Sequence, residues 1–184
     1  LNLKSKIVLR ALQPELIADI NRTNEPFTLF GRVVPQLQNG KWTYEELLFD
    51  ESKETRFPDD RLNWDDYIDQ ENKALFLAYD GQACVGQIRI VRDWTRYGYI
   101  ENIATVQAYR GRGVGKLLLD QAEAWAMDRQ LLGLSLEAQD DNLAACRFYA
   151  KHGFMLGGAD TLKQAGNPNI DTTLYWYRLF SQQC

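Results

Sequence analysis

The segment VQAYRGRGVGKLLLDQAEAWA, residues 106–126, sets Arg110, Arg112 and Lys116 among Gly111, Gly113 and Gly115, and an amphipathic helical pattern follows directly. Glycine permits left-handed backbone angles and lets a ligand come close to main-chain N–H groups. The first turn of a helix adds amides without internal partners and about half a positive charge. Together with the three basic side chains and Val114, this arrangement suits a phosphate or pyrophosphate. The same glycines are also compatible with plain turn geometry. Two common nucleotide signatures are absent, because Lys116 is followed by Leu117 rather than Ser or Thr, and the alternating glycines lack the G-x-G-x-x-G spacing.

Other polar residues stand out from apolar surroundings. Glu101 lies within YIENIATV, where a carboxylate is costly unless it has a partner or a purpose. A functional acid and a structural ion pair with an arginine such as Arg89 both fit, and Asn102 falls on the opposite face if the strand is regular. Asn142, Ala145 and Tyr149 recur at i, i+3 and i+7, one stripe of a helix. Ordinary packing would explain Phe148 well but Asn142 poorly. Trp64, Asp65, Asp66 and Tyr67, then Asp140, Asp141 and Asp160, offer carboxylates and aromatic faces to a cation. Asp140 or Asp141 is equally placed to cap the following helix. His152, the only histidine, falls in a last helical turn that favours an imidazolium and is not read as a base. Cys146 reads as a small buried apolar side chain.

Those residues need elements to hold them. KIVLRALQ reads as a first strand, and Pro14 opens the helix PELIADINR. The stretch 23–60 reads as irregular, punctuated by Pro26, Pro35, Gly40 and Pro58, with KWTYEELLFD fitting strand or helix. NWDDYIDQ is expected to be a short helix capped by Asn63. ALFLAYDGQACVGQIRIV is a hairpin turning at Asp80-Gly81, and YGYIENIATV follows as a third strand. The helix from about Gly113 would turn Val114, Leu117, Leu118, Ala122 and Trp125 to one face. LGLSLEAQ, DNLAACRFYAKH and TTLYWYRLF then read as strand, helix and strand. The class is α/β (α+β), a mixed layer in one domain over residues 1–184.

Composition bounds the function. A chain of 184 residues with 45% hydrophobic and 12% aromatic content supplies a sizeable core. A net charge of -4 argues against a nucleic-acid partner, since no basic excess displaces counterions, and fits a cationic ligand. Cys84, Cys146 and Cys184 are odd in number and widely spaced, which points away from a disulfide framework or a metal site and toward a reducing compartment. No apolar run approaches a membrane span, and no signal-peptide core opens the sequence, so a cytoplasmic location is expected. The late TLYWYRLF strand is a candidate for pairing across a homodimer.

Two motifs in order carry a resemblance. Arg110-x-x-Gly113-x-Gly115, after a strand and before a helix, resembles the acetyl-CoA pyrophosphate loop of the GNAT N-acetyltransferases. NLAACRFYAKHGF resembles that superfamily's later N-x-x-A-x-x-F-Y-x-x-x-G-F helix. From about Ala74 to Phe180 the chain is similar to the streptothricin (nourseothricin) acetyltransferases, which acetylate a β-lysine amine, while residues 1–73 match less clearly. The resemblance implies a mostly antiparallel central sheet flanked by helices, with an acetyl-CoA-binding core at about 74–158. It implies acetyl-CoA as cosubstrate with no metal, and direct attack by the amine in a ternary complex. Glu101 would take the amine's proton, directly or through water, and Tyr149 would protonate the departing thiolate. Main-chain amides of Ile103, Ala104 and Thr105, with Val106 beside them, would hold pantetheine and the developing oxyanion. Asn142 and Ala145 would line the pantetheine arm. The acceptor implied is a primary amine on a cationic small molecule, with Trp64, Asp65, Asp66 and Asp160 as contacts. A protein N-terminus, a polyamine or an aminoglycoside is the alternative acceptor, and a non-catalytic acetyl-CoA sensor a further one.

Overall fold

The computed structural model describes residues 6–181, so Cys184 lies outside the described residues. In chain order the strands are β1 (Val8–Ala11), β2 (Phe27–Gln38), β3 (Lys41–Thr55), β4 (Lys73–Asp80), β5 (Ala83–Arg92), β6 (Tyr97–Thr105), β7 (Gly133–Gln139), β8 (Met155–Asp160) and β9 (Thr173–Leu179). The helices are α1 (Val114–Asp128) and α2 (Leu143–Lys151), with single 3-10 turns at Pro14–Asp19, Trp64–Tyr67 and Gln107–Tyr109. The chain divides into two compact units. One contains the residues up to Pro26 with Arg56–Gly133, the other Phe27–Thr55 with the residues from Leu134 onward.

The first unit is built on four antiparallel strands in the order β1-β4-β5-β6. Leu75 and Leu77 of β4 face Arg89 and Gln87 of β5. On that side Leu75, Leu77 and Tyr79 pack with Leu12, Leu16, Ile20 and Tyr67, so two of the 3-10 turns cover this face. Ile88 and Ile90 alternate to the other face. There α1 comes so close that a Cβ on Gly86 would lie 2.9 Å from Val114. The hairpin turn consists of Gly81 and Gln82, one residue later than expected, because Asp80 still pairs with Ala83.

Some expectations in this unit are corrected. The PELIADINR helix shrinks to the 3-10 turn Pro14–Asp19, after which Asn21 takes a left-handed φ of 70°. Asn63 does not cap by accepting a backbone N–H; its amide instead donates to Asp66. Leu117 is 40% exposed, because the buried stripe of α1 runs through Val114, Leu118, Ala122 and Trp125, with Leu119 and Ala126 beside them.

In the second unit the segment expected to be irregular forms a long antiparallel hairpin of β2 and β3. Strand β3 is exposed at nearly every position, so no two-residue hydrophobic alternation marks it. Pro35 sits inside β2, which a two-stranded ribbon tolerates because each strand is an edge. Helix α2 lies against β2 at Gly31, where a Cβ would meet Leu143 at 2.7 Å. Strand β8 was hidden by Gly157 and Gly158. The first is required because a Cβ would fall 2.5 Å from the Tyr177 ring. The remaining strands run β7-β9-β8, which leaves β9 with a neighbour on each side. The expected pairing of TLYWYRLF with a second copy therefore has no open strand edge. Among the described residues, no helix is long and apolar enough to cross a membrane.

Candidate active site

After β6 the chain makes the 3-10 turn Gln107–Tyr109 and then two left-handed glycines, Gly111 (φ 72°) and Gly113 (φ 88°), the second serving as N-cap of α1. A Cβ at either glycine would meet nothing within 4 Å, so backbone conformation alone requires them. The first backbone bond into the helix runs from the Leu117 N–H to the Gly113 carbonyl, 3.1 Å. The amides of Val114, Gly115 and Lys116 thus precede the helical ladder and lack intrahelical acceptors. The basic side chains are engaged locally. Arg110 donates to the carbonyls of Thr105 (3.0 Å) and Pro26 (3.1 Å), which braces the turn. The Arg112 guanidinium lies 5.5 Å from the Tyr109 ring centroid, and Lys116 pairs with Asp120 at 2.6 Å. With those side chains engaged, what the turn has to offer an anion is its main-chain N–H groups and the helix dipole.

Glu101 lies at an irregularity in the β5–β6 pairing. Arg89 is opposite Asn102 and Ile90 is opposite Ile100, which leaves Glu101 as the extra residue of a bulge. The bulge breaks the expected alternation. Gln87 and Arg89 lie on one face of β5, yet Gln87 donates to Asn102 (2.7 Å) and Arg89 to Glu101 (2.8 Å), so both acceptors serve that face. Tyr67 donates its hydroxyl to Glu101 at 2.6 Å. Both donors bind Oε2, and among the described residues none is directed at Oε1. The Glu101 side chain is 27% exposed, whereas Arg89 is 6% exposed. The ion pair weighed as the structural alternative for Glu101 is therefore present, with one oxygen still open to a further donor.

Arg89 also donates through Nη1 to Asp60 at 2.9 Å, so one guanidinium serves two carboxylates. Burial disfavours the Arg89 charge, but hydrogen bonds and charges from Asp60 and Glu101 outweigh it and hold the group above its ordinary range. Burial, then the hydrogen bond to Glu101, pushes the Tyr67 phenol well above its usual value, so it remains a proton donor. Arg89 also lies 5.9 Å from the Trp64 ring centroid. This acidic, aromatic cluster joins Trp64 to the predicted base. Asp65 and Asp66 are exposed neighbours on the same turn.

Farther along β6 the Val106 N–H is already donated to the Val85 carbonyl at 3.0 Å. Amides alternate between strand edges, so Ala104 faces β5 as well, while Ile103 and Thr105 direct theirs to the other edge. The Arg110 bond to the Thr105 carbonyl agrees with that alternation. Of the four amides expected to serve a ligand, Ile103 and Thr105 are the two that β5 does not occupy.

In the second unit Asn142, rather than Asp140 or Asp141, caps α2, its Oδ1 accepting from the Ala145 N–H at 3.2 Å. That cap gives Asn142 a structural reason beside any ligand role. Tyr149 lies on the same helix in an aromatic setting, its ring 5.7 Å from Phe148 and 5.8 Å from Phe154. Cys146 is buried, and burial pushes its thiol up to about 12, far from a reactive thiolate. His152 closes α2 with its ring against Phe148. Asp160 accepts the Leu162 and Lys163 N–H groups, bonds that hold its carboxyl below the usual range, so it acts as a turn former. Among the described residues, no cluster of His, Cys, Asp or Glu is arranged to hold a metal ion.

The acetyltransferase (GNAT) family profile matches residues 37–154. The chain belongs to this family. It is 42% identical to Streptothricin acetyltransferase A of Bacillus subtilis strain 168, over 88% of this chain and 94% of that one. A protein of Bacillus anthracis strain Ames, assigned as a streptothricin acetyltransferase and crystallised with acetyl coenzyme A, superposes with a TM-score of 0.87 at 32% identity. That likeness covers 95% of this chain and all of the other. A nourseothricin acetyltransferase structure superposes at 0.78 with 25% identity, over 94% of this chain and 98% of that one. The fold is thus a GNAT fold, and the chain is an acetyl-CoA-dependent N-acetyltransferase. The unpaired amides opening α1 fit the pyrophosphate of that cosubstrate.

Within this GNAT chain the first unit brings together Glu101, Tyr67, Arg89, Asp60 and Trp64. Asp60 is the member that sequence reasoning passed over. It stands 29 positions from Arg89 in a loop where carboxylates abound, and no periodicity links the two. An arginine inside the apolar run VGQIRIV, with donors to spare beyond one carboxylate, was the signal that a second acid should be sought.

Proposed function

We propose that the protein acetylates a primary amine of a streptothricin-type antibiotic, a reaction that confers resistance by removing a cationic group. The observation that carries this reading is the 42% identity to Streptothricin acetyltransferase A over 88% of the chain. So broad a match necessarily takes in most of residues 1–73, the part whose own motifs were least distinctive.

The chemistry follows from the amine's acidity. An alkyl ammonium near pKa 10.4 is neutral in only about one molecule in a thousand at pH 7, a cost of roughly 4–5 kcal/mol. Glu101 Oε1, with Oε2 already held by Tyr67 and Arg89, accepts the ammonium proton directly or through one water. The neutral amine then attacks the thioester carbonyl, and the carbonyl oxygen takes up negative charge. Amides of Ile103 and Thr105 donate to pantetheine and to that oxygen. The tetrahedral centre collapses with cleavage of the C–S bond. Tyr149 keeps the role that the family motif assigns it, giving its proton to the CoA thiolate. The excess of carboxylate over guanidinium beside Trp64 suits a cationic acceptor.

Release of CoA measured with streptothricin, an aminoglycoside and an N-terminal peptide as rival acceptors tests the reading. Turnover with streptothricin at a kcat/KM at least tenfold above the others is expected. Turnover confined to the peptide overturns it.

A further inference from the structure

We infer that Asp60 is a positioning residue that keeps Glu101 able to accept a proton, acting through Arg89. The inference rests on the reading of Glu101 as the base. Asp60 is held at its backbone by Asn21 in both directions. The Asn21 side-chain amide donates to the Asp60 carbonyl at 3.0 Å, and the Asp60 N–H donates to Asn21 Oδ1 at 3.2 Å. The loop therefore delivers its carboxylate to a set place, 2.9 Å from Arg89 Nη1, although the side chain remains 40% exposed.

The consequence is electrostatic. A buried guanidinium with Glu101 as its sole acid would direct its whole charge to that carboxylate and disfavour protonation. With Asp60 on the other nitrogen, two acids share one cation, and the cluster carries a net negative charge. What it lacks is a proton or an ammonium ion. Other charges face the same place. Tyr67 comes from the Trp64–Tyr67 turn, Asp66 acts on it from the same turn, and Lys73 on β4 lies 5.4 Å from its ring centroid. Arg89 and Tyr67 alone among these groups hydrogen-bond Glu101. Arg89 is therefore the path by which Asp60 acts.

The experiment compares the pH profile of kcat/KM for the unmodified protein, Asp60→Asn, Asp60→Glu and Glu101→Gln, with acetyl-CoA affinity and thermal stability measured beside it. Asp60→Asn should move the acid limb to lower pH by about half to one unit and lower the plateau about three- to tenfold, as a weaker base does. Acetyl-CoA affinity should stay within twofold, and Asp60→Glu should restore the limb. A limb left in place in Asp60→Asn, with activity lost only in step with stability, overturns the inference. Glu101→Gln separates the two claims. If that variant retains the acid limb, the base assignment itself fails. If it abolishes the limb while Asp60→Asn leaves it unmoved, the role of Asp60 alone is refuted.

Discussion

Replacing Gly113 by alanine tests whether the turn before α1 holds the coenzyme. Gly113 caps the helix at φ 88° and ψ -1°, and a Cβ there touches nothing within 4 Å. Crowding therefore adds nothing, and only the left-handed backbone resists the side chain, by about 1–2 kcal/mol. If the turn holds its shape, the variant loses that amount of unfolding free energy. If the turn relaxes to negative φ, the amides of Val114, Gly115 and Lys116 leave their places and the cost falls on binding. Since 1.4 kcal/mol is tenfold, the apparent acetyl-CoA Kd then rises about five- to thirtyfold. Titration calorimetry with acetyl-CoA and urea unfolding without it measure the two shares, which should sum to about 1–2 kcal/mol. Gly40→Ala is the control. It has φ 74° and equally open surroundings at the tip of the β2–β3 hairpin, so it should cost similar stability and leave Kd unchanged. A Gly113→Ala protein with Kd within twofold and unaltered stability would refute the amide cradle.

Two further outcomes are expected. Tyr149→Phe should bind acetyl-CoA normally and lose about a hundredfold or more in kcat, the scale of a general acid; an unchanged rate removes Tyr149 from the mechanism. Asp141 is buried beside Asp140, has an oxygen without a partner, and is raised by burial and then by Asp140. A raised folded-state value means that its contribution to stability is full below the unfolded pKa and is lost as pH rises through the folded one. Asp141→Asn should therefore gain about 1 kcal/mol over the parent at pH 8, the low end for relief of a buried unsatisfied group, and much less at pH 4.5. Urea unfolding at the two pH values checks this, and equal destabilisation at both contradicts it.

Legibility followed burial and locality. The α1 and α2 patterns were readable because each helix buries one stripe, and the Gly111–Gly113 turn because left-handed backbone leaves a direct mark in residue type. Strand β3 escaped because hydrophobic alternation exists only where one face is covered, and its residues are exposed on both. Strand β8 escaped because its glycines answer to the rings of Tyr175 and Tyr177, residues nearly twenty positions away. Leu117 was misplaced because Leu119 and Ala126 extend the buried stripe of α1 on the side away from it, which leaves Leu117 beyond the stripe's edge.

The amino-acid order by itself determined the family, the reaction and the left-handed glycine turn before α1, since each depends on contiguous residues whose backbone preferences and spacing act over a few positions. Tertiary structure alone decided the surroundings of Glu101. A bulge set by strand register turns Glu101 and Asn102 to one face, and a loop anchored on Asn21 carries Asp60 to Arg89. Charge interactions act through space with little regard for chain separation, so the environment that makes a carboxylate a base or a structural anion exists only after the distant segments have met.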